Sequence, residues 1–367
     1  MKKFGLSWSD VNISNYKEIF PVINKEMVRD CVGKFTPDHK AQERNFLIHT
    51  SGTTGHPLPV HTNKSSRMLN FQHFNSLLLS NGVHPTDSSV TIGGKRLFSR
   101  PKNNCYWRHD YYARNRYFSN YHLNAKTVDI YLNEFETYDP VYIDSYPFPI
   151  SYIAKYMNST GRVYRGHNLK LILTSAEALL FEDRVEIERA FGCRVINQYG
   201  NVEMSVFAYG YDDKLHFPGS YGQVEFEYSK SGEAEIISSG MVNTGMVLLR
   251  YKTGDTVNEV FSNDICGAVA SVVNGRSEDY IELADGRRIT QFNPISGLQS
   301  VRQAQVIQKS FNQIDILVDT ELDINTIAMI RKVVLQKLDP NMEVNIVKVN
   351  DFILTKSGKF RFIRRMF

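Results

Sequence analysis

Residues 50–57 read TSGTTGHP, and five of them, Ser51, Gly52, Thr53, Thr54 and Gly55, set glycine freedom beside three hydroxyl donors. Glycine admits backbone angles that other residues resist, so a loop of this kind can curl its N–H and O–H groups around the anionic oxygens of a phosphate. It is not a Walker loop, because His56 and Pro57 stand where the GxxxxGK[ST] pattern needs its lysine. By itself the segment reads equally well as an ordinary polar surface loop.

Elements able to hold such a loop are legible downstream. From Asn168 the chain reads strand, turn, helix, strand: LKLILT is a short apolar run, FEDRVEIERAF carries apolar residues at helical spacing, and CRVINQYG alternates. Glu182 and Asp183 suit the first turn of that helix, and Gly192 stops it. This predicts a β-α-β unit. GMVLLRYKTGD reads as an apolar strand running into Thr253-Gly254-Asp255, and DYIELADGRRIT as a hairpin turning at Asp285-Gly286. After Pro294, AQVIQKS, IDILVD and MEVNIVKV read as strands and INTIAMIRKVVLQKL as an amphipathic helix, a small α+β domain. Between 103 and 149 the chain is rich in Tyr, Asn and Arg, and Tyr106, Trp107, Tyr111 and Tyr112 are expected to pack rather than to stack on bases.

Composition narrows the function. At 367 residues, with 42% apolar and 22% charged, the chain is long enough for two or three packed domains and is neither disordered nor a coiled coil. A net charge of +4 is too small to argue for nucleic acid, and its one basic cluster is the C-terminal KSGKFRFIRRMF. The four cysteines form no CxxC pair, which fits free thiols in a reducing compartment. No apolar run reaches the roughly 18 residues that span a bilayer, and the N-terminus has no signal-like apolar stretch, so a cytoplasmic protein without membrane insertion is expected.

Six segments in order, TSGTTGHP (50–57), SAEAL (175–179), NQYGNVE (197–203), YKTGD (251–255), GRSEDYI (275–281) and TKSGKFR (355–361), resemble the motif series of adenylate-forming ligases. Within that superfamily the chain is most similar to the phenylacetate-CoA-ligase-like proteins of the branch associated with capsular polysaccharide loci, and the likeness runs from FPVINKEMV to the end. The resemblance implies a large N-terminal α/β domain with mixed sheets, residues 1–275, and a small mobile C-terminal α+β domain, residues 276–367. It implies ATP and Mg2+, with coenzyme A as a co-substrate. A carboxylate attacks the α-phosphate to give an acyl-adenylate and pyrophosphate, and a thiol such as coenzyme A then takes the acyl group.

Residue by residue, the resemblance assigns Ser51, Gly52, Thr53, Thr54 and Gly55 to the β- and γ-phosphates, and Glu203 to magnesium, whose preferred ligands are hard oxygens. Tyr199, beside Gly200, corresponds to the aromatic on the adenine and Asn197 to the residue bonding its amino group, with Ala176 and Glu177 along its other side. Asp255 corresponds to the ribose ligand and Arg276 to the arginine near the domain junction. Lys359 corresponds to the lysine that the small domain delivers to the substrate carboxylate and α-phosphate. Glu278 falls on the hinge, where relatives usually carry aspartate. The acyl pocket is expected around YIDSYPFP, 142–149, with Tyr146 and Phe148 near the acyl group and an aryl or medium apolar acid as substrate.

The front end is shorter than in typical phenylacetate-CoA ligases, which suggests that a homodimer or a partner chain covers that surface. Two alternatives stand beside the thiol ligase: an amine acceptor, giving an amide on a sugar or amino acid, and a nucleotide-binding scaffold without catalysis. Joint presence of Glu203 and Lys359 favours an enzyme.

Overall fold

The β-α-β pattern around Asn168 extends in both directions and builds a sheet. The computed structural model describes residues 12, 15–37, 45–50, 57–98, 101, 103–230, 232–276, 280–289, 292–295, 298 and 301–367. It divides into two compact units, one made of Met1–Ser76, Tyr199–Gly210 and Lys214–Val273, the other of Leu77–Gln198, Tyr211–Asp213 and Asn274–Phe367.

In the second unit, strands β1 (Ser89–Gly93), β2 (Asn115–Ser119), β3 (Tyr142–Ser145), β4 (Leu171–Ser175) and β5 (Arg194–Gly200) lie in the order β5-β4-β3-β1-β2, each pair parallel. Helices α1 (Val128–Tyr138), α2 (Pro147–Thr160) and α3 (Phe181–Phe191) supply the crossovers that parallel pairing needs. Val90, Ile92, Ile143, Ile172 and Val195 of the strands pack with Leu132, Phe135, Ile153 and Ile187 of the helices in one core. Gly192 ends α3 in the left-handed region, φ 65°, as its position predicts. Strand order reverses between β1 and β3, and the crevice outside the carboxyl ends at such a switch point is where open α/β sheets bind ligands.

The last part of this unit has a core of its own. Strands β6 (Ala304–Ser310), β7 (Gln313–Val318), β8 (Glu343–Lys348) and β9 (Ile363–Arg365) form a sheet in the order β8-β7-β6-β9, and α4 (Ile324–Lys337) packs Ile330 and Val334 against Val306, Ile314 and Ile316. Asp323 caps α4 by accepting from the Asn325 and Thr326 backbone N–H groups. The hairpin at Asp285-Gly286 is present, with Gly286 at φ 84° between Ile281–Glu282 and Arg288–Ile289.

In the first unit, a hairpin of Phe46–His49 and Pro59–Thr62 flanks the glycine-rich loop, and Gly222–Tyr228, Ala234–Gly240 and Tyr251–Val257 form an antiparallel sheet. One expectation fails here. Residues 245–250 are not strand: Arg250 takes φ 51° and its guanidinium turns to Glu225 (Nε–Oε1 3.0 Å), so the strand begins only at Tyr251. A second correction concerns the aromatics between 103 and 149. Tyr106 and Trp107 pack on the core, but Tyr111 and Tyr112 stand in a turn, 86% and 101% exposed, because Arg114 reverses the chain there at φ 49°.

Candidate active site

At the switch point of the second unit lies a cavity of about 380 Å³, lined by Thr91, Gly93 and Gly94 at the end of β1, Asp144 and Tyr146 at the end of β3, and Ser357. Tyr146, expected near the acyl group, lines this cavity. Phe148, expected beside it, is buried at the start of α2 and stacks on Phe360, ring centroids 4.3 Å apart and planes 9° apart. Aromatic character predicts burial but not the partner, and here the partner is the C-terminal loop.

That loop, 354–360, carries Lys359. It closes on itself through Thr355 N–H to Lys359 O (2.9 Å), Gly358 N–H to Thr355 O (2.9 Å) and Lys359 N–H to Thr355 Oγ1 (3.0 Å). Its docking uses side chains far away in sequence. Asn120 Nδ2 donates to Gly358 O (2.8 Å), Tyr121 donates its hydroxyl to Lys356 O (2.9 Å), and Asn124 Nδ2 donates to Asp351 Oδ1 (2.9 Å). Two glycines make the approach possible. A Cβ on Gly94 would fall 1.6 Å from Ser357 O, and one on Gly358, which has φ 73°, would fall 2.3 Å from Gly94 Cα.

Glu177 ties the loop to α2. Its Oε2 accepts from Phe148 N–H (3.0 Å) and its Oε1 from Phe360 N–H (2.5 Å). Burial pushes its carboxyl up to about 7, while the two N–H donors and the Lys359 charge pull the other way. Ala176 precedes it at φ 71°, a strained position for a residue with a Cβ. Asn197, buried on β5, accepts from Thr174 Oγ1 at 3.4 Å.

The first unit holds the other candidates. Thr50 and Leu58 clamp the two ends of the glycine-rich loop, Thr50 N–H to Leu58 O at 3.1 Å and Leu58 N–H to Thr50 Oγ1 at 2.9 Å. Glu203 is 6% exposed in a turn after β5 and accepts the buried Tyr251 hydroxyl at Oε1, 3.0 Å. Asn243 Nδ2 donates both to Glu203 O (3.1 Å) and to His61 O (3.0 Å), which links that turn to the loop hairpin. Tyr199 donates its hydroxyl to Asp255 Oδ2 (2.8 Å), fixing the ring, and Gly200 lies where a Cβ would come 3.3 Å from Val206 O. Burial and the nearby Asp255 charge raise the Tyr199 hydroxyl well above its ordinary value, so it stays a donor. Ser51, Gly52, Thr53, Thr54, Gly55 and Glu278 lie outside the described residues, as does the Arg276 side chain.

Comparison with known proteins fits this arrangement. The sequence profile of the CapK C-terminal domain matches residues 284–366. The chain is 26% identical to Protein CapK of Staphylococcus aureus over 99% of its own length and 83% of that protein. It superposes on 2-hydroxyisobutyryl-CoA ligase, in the postadenylation state with R3-HIB-AMP, with a TM-score of 0.69 at 14% identity, covering 99% of this chain and 84% of that one. The chain shares the fold of the adenylate-forming ligases, and its residues 284–366 are similar to the CapK C-terminal domain. The same fold recurs in anthranilate CoA ligase AuaEII with anthranoyl-AMP, TM-score 0.57 at 15% identity, over 86% of this chain and 65% of that one. Within this fold, Gly94, Asn120, Asn243 and Asp144 are residues that the motif series passes over. A double glycine directly after an apolar run, TIGGK, is a sequence signal for Gly94, and the acid in YIDS is one for Asp144.

Among the described residues no cluster of three metal-ligating side chains occurs. Magnesium takes one or two carboxylates and fills its shell with water and phosphate oxygens. Glu203, held by Tyr251, is the carboxylate that fits.

Proposed function

We propose that the protein activates a carboxylic acid with ATP, forming an acyl-adenylate and pyrophosphate, and then passes the acyl group to a thiol such as coenzyme A. The observation that carries this reading is the docked loop, which brings the Lys359 segment to the mouth of a cavity at the switch point. In the first step a substrate carboxylate oxygen bonds to the α-phosphorus as the bond to pyrophosphate breaks. Lys359 offers a fixed positive charge where the two oxyanions meet, Asp255 and Tyr199 hold the ribose and adenine, and Ser51 to Gly55 with Arg276 hold the phosphates. Glu203 holds magnesium, which when bound neutralises phosphate charge. Residues 276–367 then act as the mobile domain, turning about Glu278 between half-reactions. An amine acceptor is the second reading, supported by the likeness to Protein CapK rather than to a CoA ligase in sequence.

ATP–pyrophosphate exchange with pools of aryl, aliphatic, amino and sugar acids tests the first step. One pool is expected to support exchange, and Lys359→Ala to lower it about a thousandfold, the scale of losing one preorganised charge. Absence of exchange with every pool, in protein that binds ATP, overturns the reading in favour of a scaffold.

A further inference from the structure

The cavity contains a carboxylate that the reaction above does not use. Thr91 pairs across the sheet with both Tyr117 and Asp144, so the three side chains share one face of the β2-β1-β3 strands, while Val90, Ile92 and Ile143 fill the helix-covered core. Two of the three are engaged: Thr91 Oγ1 accepts from Asn115 Nδ2 at 2.9 Å, and the Lys95 ammonium lies 5.6 Å from the Tyr117 ring centroid. Asp144 receives no hydrogen bond and no ion pair from any described residue, and burial alone pushes its carboxyl up to about 6.

Asp144 is half-buried in the cavity wall, and a carboxylate there with no partner in the protein is open to a ligand that supplies one. Leu97 and Phe118 supply apolar wall beside it, with the Tyr146 hydroxyl and Lys95, turned to the Tyr117 ring, in the same lining. The arrangement suits an acid with an apolar body and one positive group. Asp144 lies on β3 two residues before Tyr146, which follows the strand, roughly 7 Å in extended chain, so a positive group at Asp144 is set apart from the part of the acid that meets Tyr146.

Resting on the adenylation reading, we propose that Asp144 is the specificity determinant of the acyl pocket and that the acid activated here carries a distal amino group, whose ammonium pairs with the Asp144 carboxylate. The pair forms by transfer of the ammonium from water to the cavity, with no bond made or broken.

The test uses 4-(aminomethyl)benzoate and 5-aminopentanoate, whose amines are protonated near neutral pH, against benzoate, pentanoate and 4-hydroxybenzoate. Two readouts are taken on the full chain: kcat/KM in pyrophosphate exchange, and ligand-induced shift of the melting temperature without ATP. The amino acids are expected to lead their unsubstituted counterparts by at least about a hundredfold, because a site built for a polar group rejects an analogue lacking it. Asp144→Asn and Asp144→Ser should abolish that lead, bringing the ratio between each amino acid and its unsubstituted counterpart to about one. Equal or better use of benzoate, pentanoate or 4-hydroxybenzoate, or equal losses for all acids in the variants, overturns the proposal. If no acid supports exchange, the adenylation reading fails and binding decides: a melting shift with the amino acids that disappears in both variants upholds the Asp144 assignment, and any other pattern overturns it.

Discussion

The residues proposed for the nucleotide in the first unit and those proposed for the acyl group in the second are built on opposite plans. Glu203, Tyr251, Asn243 and His61 hold one another through short bonds within a single buried network, and Tyr199 and Asp255 do the same. In the second unit the polar groups are conditional. Glu177 is satisfied by Phe360, 183 residues away on the Lys359 loop, and Asp144 by nothing in the described fold. A preassembled group needs no reorganisation when charge develops, whereas a conditional one reports whether a loop or a ligand has arrived.

The sharpest way to break this contrast is at the glycine pair. Gly94→Ala places a methyl carbon where the Ser357 carbonyl oxygen now sits, 1.6 Å away, and backbone cannot yield as a flexible side chain does. Pyrophosphate exchange is expected to fall about a hundredfold, roughly 2.7 kcal/mol in barrier, while the change in ATP affinity stays within about twofold. Exchange at the native rate would mean that docking of the loop is not what delivers Lys359.

Next comes the stability of the unpaired carboxylate. Burial raises the Asp144 carboxyl from 3.8 to about 6, so between those values the folded protein holds a proton that the unfolded chain has released. Stability then falls as pH rises through that window and stays low above it. Asp144→Asn removes the effect: no gain over the native protein near pH 4, and at pH 7 a gain of at most about 3 kcal/mol, from two pH units at about 1.4 kcal/mol each. Denaturant melts at the two pH values measure it, and a variant that is less stable at pH 7 would show that Asp144 already has a partner.

How far these plans could be read from the amino acids follows the range of the interactions. Short-range patterns were sufficient for α3, whose ends at Phe181 and Phe191 coincide with the periodic run and its glycine stop, and for β4, β5 and the C-terminal strands and helix. The motif series singles out Glu203, Asp255, Tyr199 and Lys359 as candidates, and the fold gives Glu203, Tyr199 and Asp255 partners within their own unit. The partner of Phe148 was not legible because apolar character has no address. Asn120 was silent, and the double glycine at Gly94 did not say what it approaches, since both roles exist only when 355–360 arrives, over two hundred residues later. Asp144 left a trace: an acid between Ile143 and Ser145 in a central parallel strand, on the face opposite the Ile143 side chain.

The smallest expected effect tests the preassembled side. Tyr251→Phe keeps the buried ring and deletes one oxygen, so what it removes is the hydroxyl donated to Glu203 Oε1. The carboxylate then keeps its burial without that donor, which costs about 1–2 kcal/mol of stability and leaves its orientation to packing alone. If Glu203 is the magnesium ligand, the free magnesium needed for half-maximal exchange rises by up to about tenfold, with the rate at saturating magnesium nearly unchanged, because the ion itself restores the orientation that the hydroxyl supplied. Magnesium titrations of the two proteins separate this from a purely structural role. In that case the melting temperature drops and the magnesium midpoint stays where it is, and the first unit's network would be scaffolding for the loop hairpin that Asn243 binds rather than a cation site.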